Sequence, residues 1–178
     1  MIDKSILTEC YADTILLEVL VPTRSGYNKQ NGCNAVAKAV KSHDGFRLGI
    51  SDKDKKVVKY LEEFEEIDRI EGSLILLRHK NAEVHHYFIL IIPALETWVI
   101  NICKEEDISL KDYGIGNTLK DLKRITKSAI SKNDVNLNNL FKSIKSKEGN
   151  KSINKLKGWV TLLKEKQYTV STDDLKKS

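Results

Sequence analysis

A chain of 178 residues, 40% hydrophobic and 31% charged, is long enough to bury a core and too apolar to stay unfolded. No apolar run approaches the roughly 18 residues a membrane-spanning helix needs, and Met1-Ile2-Asp3-Lys4 lacks the basic-then-apolar pattern of a secretory signal, so the expected location is cytoplasmic, with no membrane partner. Cys10, Cys33 and Cys103 are odd in number and far apart, which suits reduced thiols better than a disulfide framework or a zinc site.

The net charge of +5 is unevenly placed. Between Asn117 and Tyr168 twelve Lys and one Arg face only Asp121, Asp134, Glu148 and Glu165, so the rest of the chain is net acidic. An acidic front and a basic back suit a polyanionic substrate, although a solvated Lys-rich helical face would look the same.

Ser5 to Glu9 reads as a first strand, and Tyr11 to Val21 as a helix, with Ala12, Ile15, Leu16, Val19 and Leu20 at helical spacing and Pro22 as its stop. Thr23 to Asn34 is polar and Gly-containing, a loop, before a short helix over Ala35 to Lys41. Phe46 to Ser51 is the next strand, and the spacing of Val57, Val58, Leu61 and Phe64 predicts a helix from about Lys55 to Ile67. Ser73 to Arg78 and Tyr87 to Ile92 are continuously apolar, as strands covered on both faces are. A helix over Ala94 to Glu105 follows. The order predicts an α/β domain over residues 1–108. Leu119 to Ile130, Leu137 to Ile144 and Ile153 to Leu163 predict a Lys-rich helical extension over 109–178, packed on that domain, with a frayed tail from about Thr169.

In open parallel sheets, ligands gather outside the carboxyl ends of the strands. Glu9 sits where the first strand stops, and Asp52 and Asp54 sit where the Phe46–Ser51 strand stops. If the two strands are neighbours, three carboxylates converge, and a hard divalent cation relieves their repulsion. Mg²⁺ is the expected cofactor, with Mn²⁺ as a substitute, and phosphoryl transfer is the chemistry such a centre supports. Helix capping by the aspartates and a solvent-facing Glu9 are the plainer readings.

Ile6-Leu7-Thr8-Glu9-Cys10-Tyr11-Ala12-Asp13 resembles the opening motif of Toprim domains, nearest those of the overcoming-lysogenization-defect nucleases and related phage-defence proteins. Leu48-Gly49-Ile50-Ser51-Asp52-Lys53-Asp54 resembles their second motif, an apolar strand ending in DxD, and Ile91 to Trp98 is similar to a third feature that carries an acid, Glu96, on a helix. The resemblance spans roughly Lys4 to Cys103 and implies a Toprim-like Rossmannoid sheet, mainly parallel, with metal-dependent nuclease activity on nucleic acid. It implies Glu9 as general base or metal ligand, Asp52 and Asp54 as metal ligands, and Asp13 and Glu96 as supporting acids.

Lys120, Lys123, Arg124 and Lys127 fall three or four apart on one predicted helix and are the expected phosphate stripe; Lys53, Lys55 and Lys56 beside the DxD could also neutralise phosphate. Arg24 to Gly32 is rich in donors and could grip a phosphate if it lies near the acids. Trp159 is expected as a core anchor, His79, His85 and His86 as exposed hairpin residues, and His43 as part of a turn. The expected function is a Mg²⁺-dependent nuclease or nuclease subunit in phage defence. The alternatives are a non-catalytic Toprim-like module that binds nucleic acid, a partner ATPase or another defence-system protein, and a protein whose acidic and basic halves drive homodimerisation.

Overall fold

Six strands form one sheet in the computed structural model, which describes residues 3–53, 58–128, 133–147 and 149–178. They are β1 (Asp3–Thr8), β2 (Tyr27–Lys29), β3 (Arg47–Asp52), β4 (Phe64–Ile70), β5 (Leu74–His79) and β6 (His86–Ile91), in the order β2-β1-β3-β6-β5-β4. β2, β1, β3 and β6 run parallel, and β5 and β4 are antiparallel to their neighbours, so the sheet is mixed and Rossmann-like. The helices are α1 (Tyr11–Leu20), α2 (Cys33–Lys41), α3 (Leu95–Glu105), α4 (Leu119–Ser128), α5 (Val135–Lys145), α6 (Lys151–Lys166) and α7 (Thr172–Lys177).

Alternation along the strands gives the sheet two apolar faces. Ile6, Leu48, Ile50, Ile89 and Ile91 pack into one core with α1, α3, α5 and α6. Leu7, Phe88 and Leu90 pack into a second with Val36, Ala37 and Val40 of α2 and with Tyr60 and Phe64. α1, leaving β1, therefore covers one face, and α2, leading into β3, covers the other. Between β1 and β3 the chain's winding reverses, and their carboxyl ends border the crevice where such sheets bind ligands.

The first core continues past residue 108 without a break. Leu137, Leu140, Phe141, Ile144, Ile153, Leu156 and Trp159 share it with Ile15 and Leu16 of α1. Trp159 is fully buried, as expected of an anchor, and its Nε1–H donates to the Leu175 carbonyl at 3.0 Å. α1 has no basic residue in its last turn. Lys145 Nζ donates to the Val19 carbonyl at 2.6 Å and Lys164 Nζ to that of Pro22 at 3.1 Å, supplying cations at that helix's negative end.

Several expectations are corrected. In place of a helix reaching Ile67 there is a 3₁₀ turn over Lys59–Glu63 and then β4; Lys55, Lys56 and Val57 lie outside the described residues. Phe64 faces one core while Ile67 and Ile70 pack on the other, and a register shift between Glu66 and Asp68 absorbs Ile67. A bulged strand thereby shows the three-residue apolar spacing that reads as a helix. The loop over 23–34 contains β2, whose Tyr27 is buried and donates its hydroxyl to the Val21 carbonyl. Beyond Thr169 the chain forms α7, with Leu175 only 1% exposed, rather than a frayed tail.

His79 and His86 are buried, not exposed. His86 Nε2 donates to the His43 carbonyl at 2.8 Å, so its Nδ1 accepts from Tyr60 Oη at 2.6 Å; burial holds its pKa below the usual imidazole range. His79 Nδ1 accepts from the Asn81 N–H at 3.1 Å, and its Nε2 faces Glu63 Oε2 at 3.3 Å. Alternation alone places β6's first residue under a neighbouring turn, which hairpin composition does not reveal.

Candidate functional site

β1 and β3 are parallel neighbours, with Ile6 opposite Leu48, Leu7 opposite Gly49 and Thr8 opposite Ile50. Glu9 follows the last residue of β1, and Asp52 is the last residue of β3. The Asp52 N–H donates to Glu9 Oε2 at 3.1 Å, and Asp52 Oδ1 accepts the N–H of Leu95, the first residue of α3, at 2.8 Å. Ala94, the residue before α3, makes no side-chain cap, so a carboxylate from β3 serves that helix N-terminus. Asp52 thus does cap a helix, though not the one its own sequence neighbours suggest.

Asp13 lies one turn into α1 and accepts the Cys10 N–H at 2.9 Å. It is 3% exposed. Burial pushes its carboxyl up to about 7, with the charge of Glu9 adding to the rise and the Cys10 hydrogen bonds opposing it. Asp52 is pushed up to about 8, again first by burial, then by the charges of Asp13, Glu9 and Glu96. These four acids surround one volume closely enough that each added negative charge raises the cost of the next. Burial and the neighbouring Asp13 also push the Cys10 thiol far up, so it stays protonated and is a poor nucleophile.

A cavity of about 660 Å³ opens at this point. Glu9, Asp13, Asp52 and Glu96 supply its acids. Lys29, Asn31 and Gly32 come from the β2–α2 segment, and Lys123, Thr126 and Lys127 from α4. Gly32 has φ +93°, a backbone state that glycine adopts without strain, and its N–H donates to the Glu9 carbonyl at 3.2 Å, which brings that segment against the end of β1. Lys29 Nζ stands 4.5 Å from the Tyr11 ring centroid, a cation–π contact at the cavity wall. Glu96 Oε1 accepts from Thr126 Oγ1 at 2.6 Å, joining α3 to α4.

The predicted residues therefore sort into groups. Glu9, Asp13, Asp52 and Glu96 meet, and Lys123 and Lys127 join them. Lys120 and Arg124 line an adjoining groove rather than the cavity. Lys53 is exposed and outside the lining, and its charge acts on Glu66 instead. Asp54 and Lys55 lie outside the described residues. Tyr11 and Thr126 are additions to the expected set: an aromatic at a helix start and a Thr on a basic helix carry no signal until α1 and α4 are folded beside the acids. The donor-rich loop carries a partial signal, and its Lys29, Asn31 and Gly32 do reach the cavity.

All four carboxylates offer hard oxygen donors of the kind Mg²⁺ takes. That ion is held by one or two carboxylates with waters and substrate phosphates rather than by a cage of protein ligands. Among the described residues no three His, Cys, Asp or Glu side chains are grouped so as to hold a metal ion between them. Among the same residues no helix is long and apolar enough to cross a membrane. No family model, curated protein or solved structure matches this chain.

Proposed function

We propose that this chain is a Toprim-like, metal-dependent nuclease or nuclease subunit that hydrolyses nucleic-acid phosphodiesters, with phage defence as its setting. The observation that carries the reading is the contact of Glu9 with Asp52 across the carboxyl ends of β1 and β3, at the floor of a cavity that Asp13 and Glu96 also line. Acids gathered in and around a buried site are costly to a fold unless a cation or a reaction uses them. Lys29, Lys123 and Lys127 on the cavity walls offer the opposite charge, suited to phosphate oxygens.

Glu9, oriented by the Asp52 N–H, is the candidate general base or cation ligand, and Asp52 and Glu96 are candidate ligands. Asp13, tied to the Cys10 N–H, sets the charge beneath them. A divalent cation bound there would supply Lewis-acid polarisation of the phosphoryl group and a more acidic water. The lysines would hold the flanking phosphates, and the cavity walls would shield the reacting group from bulk water.

The test is a cleavage assay on supercoiled DNA, single-stranded DNA and RNA with Mg²⁺, Mn²⁺ or a chelator. Metal-dependent cleavage that disappears in Glu9→Gln and Asp52→Asn supports the reading. Undiminished cleavage by both variants overturns it, and calorimetric metal binding without any cleavage assigns the chain to the non-catalytic module instead.

A further inference from the structure

We propose that α4 is a strand-binding track that extends the catalytic cavity, so that the ligand is a nucleic-acid strand several nucleotides long rather than a mononucleotide or a free phosphate. The inference rests on the nuclease reading for the chemistry at the cavity, but not for the binding along α4.

The cavity at Glu9 and Asp52 and a groove of about 560 Å³ on α4 share Lys123 and Lys127 as lining residues. Lys120 and Arg124 line only the groove. An anion entering at the acids and leaving across Lys123 and Lys127 would therefore meet two more cations. From Lys120 to Lys127 the helix advances about 10 Å at roughly 1.5 Å per residue, the axial span of about three phosphates at roughly 3.4 Å each.

The charges on α4 differ in circumstance from four other C-terminal lysines, which the fold itself engages. Lys145 and Lys164 are spent on main-chain carbonyls, Lys155 pairs with Asp68 at 2.8 Å, and Lys166 pairs with Asp174 at 2.7 Å. Lys120, Lys123 and Lys127 are exposed, and their ammonium groups make no hydrogen bond or ion pair with another described residue. Among the described residues Arg124 has only Asp121, at 3.9 Å. Lys120 with Arg124, and Lys123 with Lys127, are like-charge pairs four residues apart, an arrangement that works against a helix. A polyanion lying along the face converts that repulsion into attraction.

The track is also fixed in place. Leu122 and Thr126, four residues apart, turn inward; Leu122 is fully buried in the first core and Thr126 is bonded to Glu96. Thr118 and Asp121 exchange hydrogen bonds at the start of α4, with the Thr118 N–H donating to Asp121 Oδ2 at 3.1 Å and the Asp121 N–H to Thr118 Oγ1 at 3.2 Å. The cations are thus presented from an element packed on the first core and tied to the acidic wall.

The experiment measures binding of a fluorescent single-stranded 12-nucleotide DNA and of adenosine monophosphate in a chelator, over a series of salt concentrations. Lys120→Ala/Arg124→Ala should weaken the oligonucleotide at least tenfold at low salt and leave adenosine monophosphate unchanged. It should also reduce the slope of log K against log salt by about 1.4, or roughly 0.7 for each phosphate that is no longer neutralised. Equal oligonucleotide affinity and equal slope in wild type and the double variant would overturn the track, as would wild-type protein that binds no oligonucleotide. Binding that depends on Lys120 and Arg124, with no cleavage under any metal, would uphold the track and reject the nuclease. Glu9-dependent cleavage that is indifferent to Lys120 and Arg124 would do the reverse.

Discussion

Glu9 Oε2 receives the N–H of Asp52, so the acid that ends β1 is held by the main chain that ends β3. The bond exists because the two strands are parallel and in register from Ile6–Leu48 to Thr8–Ile50, which delivers Glu9, one residue past Thr8, and Asp52, two past Ile50, to the same edge. Asp52 in turn holds Leu95 at the start of α3, so three elements meet through two acids.

Removing charge while keeping shape isolates the chemistry from the fold. Glu9→Gln retains a carbonyl oxygen that can accept the Asp52 N–H, and Asp52→Asn retains one for Leu95. Each should lower metal-dependent cleavage by at least about a hundredfold while leaving the far-ultraviolet circular dichroism spectrum as in wild type. Glu9→Ala, which abandons the Asp52 N–H in a half-buried place, should also lower stability by about 1–2 kcal/mol, measurable by urea denaturation.

The buried acids give the site a pH signature. Asp13 has a folded pKa of about 7, well above its ordinary value of 3.8. Between those values the folded state binds more protons than the unfolded state, so stability is fully present below about pH 4 and falls as pH rises through about 7. Asp13→Asn keeps an acceptor for the Cys10 N–H and removes the titration. In a chelator the variant should match wild type near pH 4 and exceed it at pH 8.5 by about 4 kcal/mol, or roughly 8–16 °C in Tm. Added Mg²⁺ should raise the wild-type Tm more at pH 8.5 than at pH 5. A wild-type advantage at pH 8.5 in the chelator would contradict the burial cost assigned to Asp13.

The sequence displays this site unevenly, for physical reasons. Glu9 and Asp52 are legible because each ends an apolar run, and strand ends are where parallel sheets place ligands. Their adjacency is a fact of topology: it depends on α1 and α2 taking opposite faces, which no local pattern specifies. Val58, Leu61 and Phe64 mislead because a 3₁₀ turn running into a strand carries apolar residues three apart on one core, a spacing that also marks a helix. The C-terminal lysines mislead in another way. Lys145 and Lys164 swell the basic count of the C-terminal half, yet each is bonded to a main-chain carbonyl on the α1 side of the fold.

Close packing beneath the site makes a further prediction. Gly49, mid-strand in β3, lies opposite both Leu7 and Phe88. A Cβ built on it would stand 2.4 Å from Cε1 of the Phe88 ring, which is 1% exposed. Gly49→Ala should therefore destabilise by about 1–3 kcal/mol through overpacking, against the usual gain of Ala over Gly in a strand. Gly49→Ala/Phe88→Leu, which shortens the opposing side chain, should recover part of that loss. A single variant as stable as wild type in urea would show that β3 and β6 can separate without cost.

The last helix should behave as core rather than as tail. Leu175 is 1% exposed within the first cluster, and its carbonyl takes the buried Trp159 Nε1–H. Arg78 of β5 reaches Thr172 at 3.2 Å, and Lys155 reaches the Lys176 carbonyl at 2.8 Å, so α7 is tied to both the sheet and α6. Tyr168, just before α7, accepts the Phe46 N–H at 2.9 Å and sets its ring against His85 at 4.9 Å between centroids. Leu175→Ala should cost about 2–4 kcal/mol, whereas Val135→Ala, at a side chain 66% exposed, should change stability by no more than about 0.5 kcal/mol. Near-equal urea midpoints for the two variants would mean that α7 contributes no more to the fold than an exposed residue does, and that residues after Thr169 can detach while the sheet stays folded.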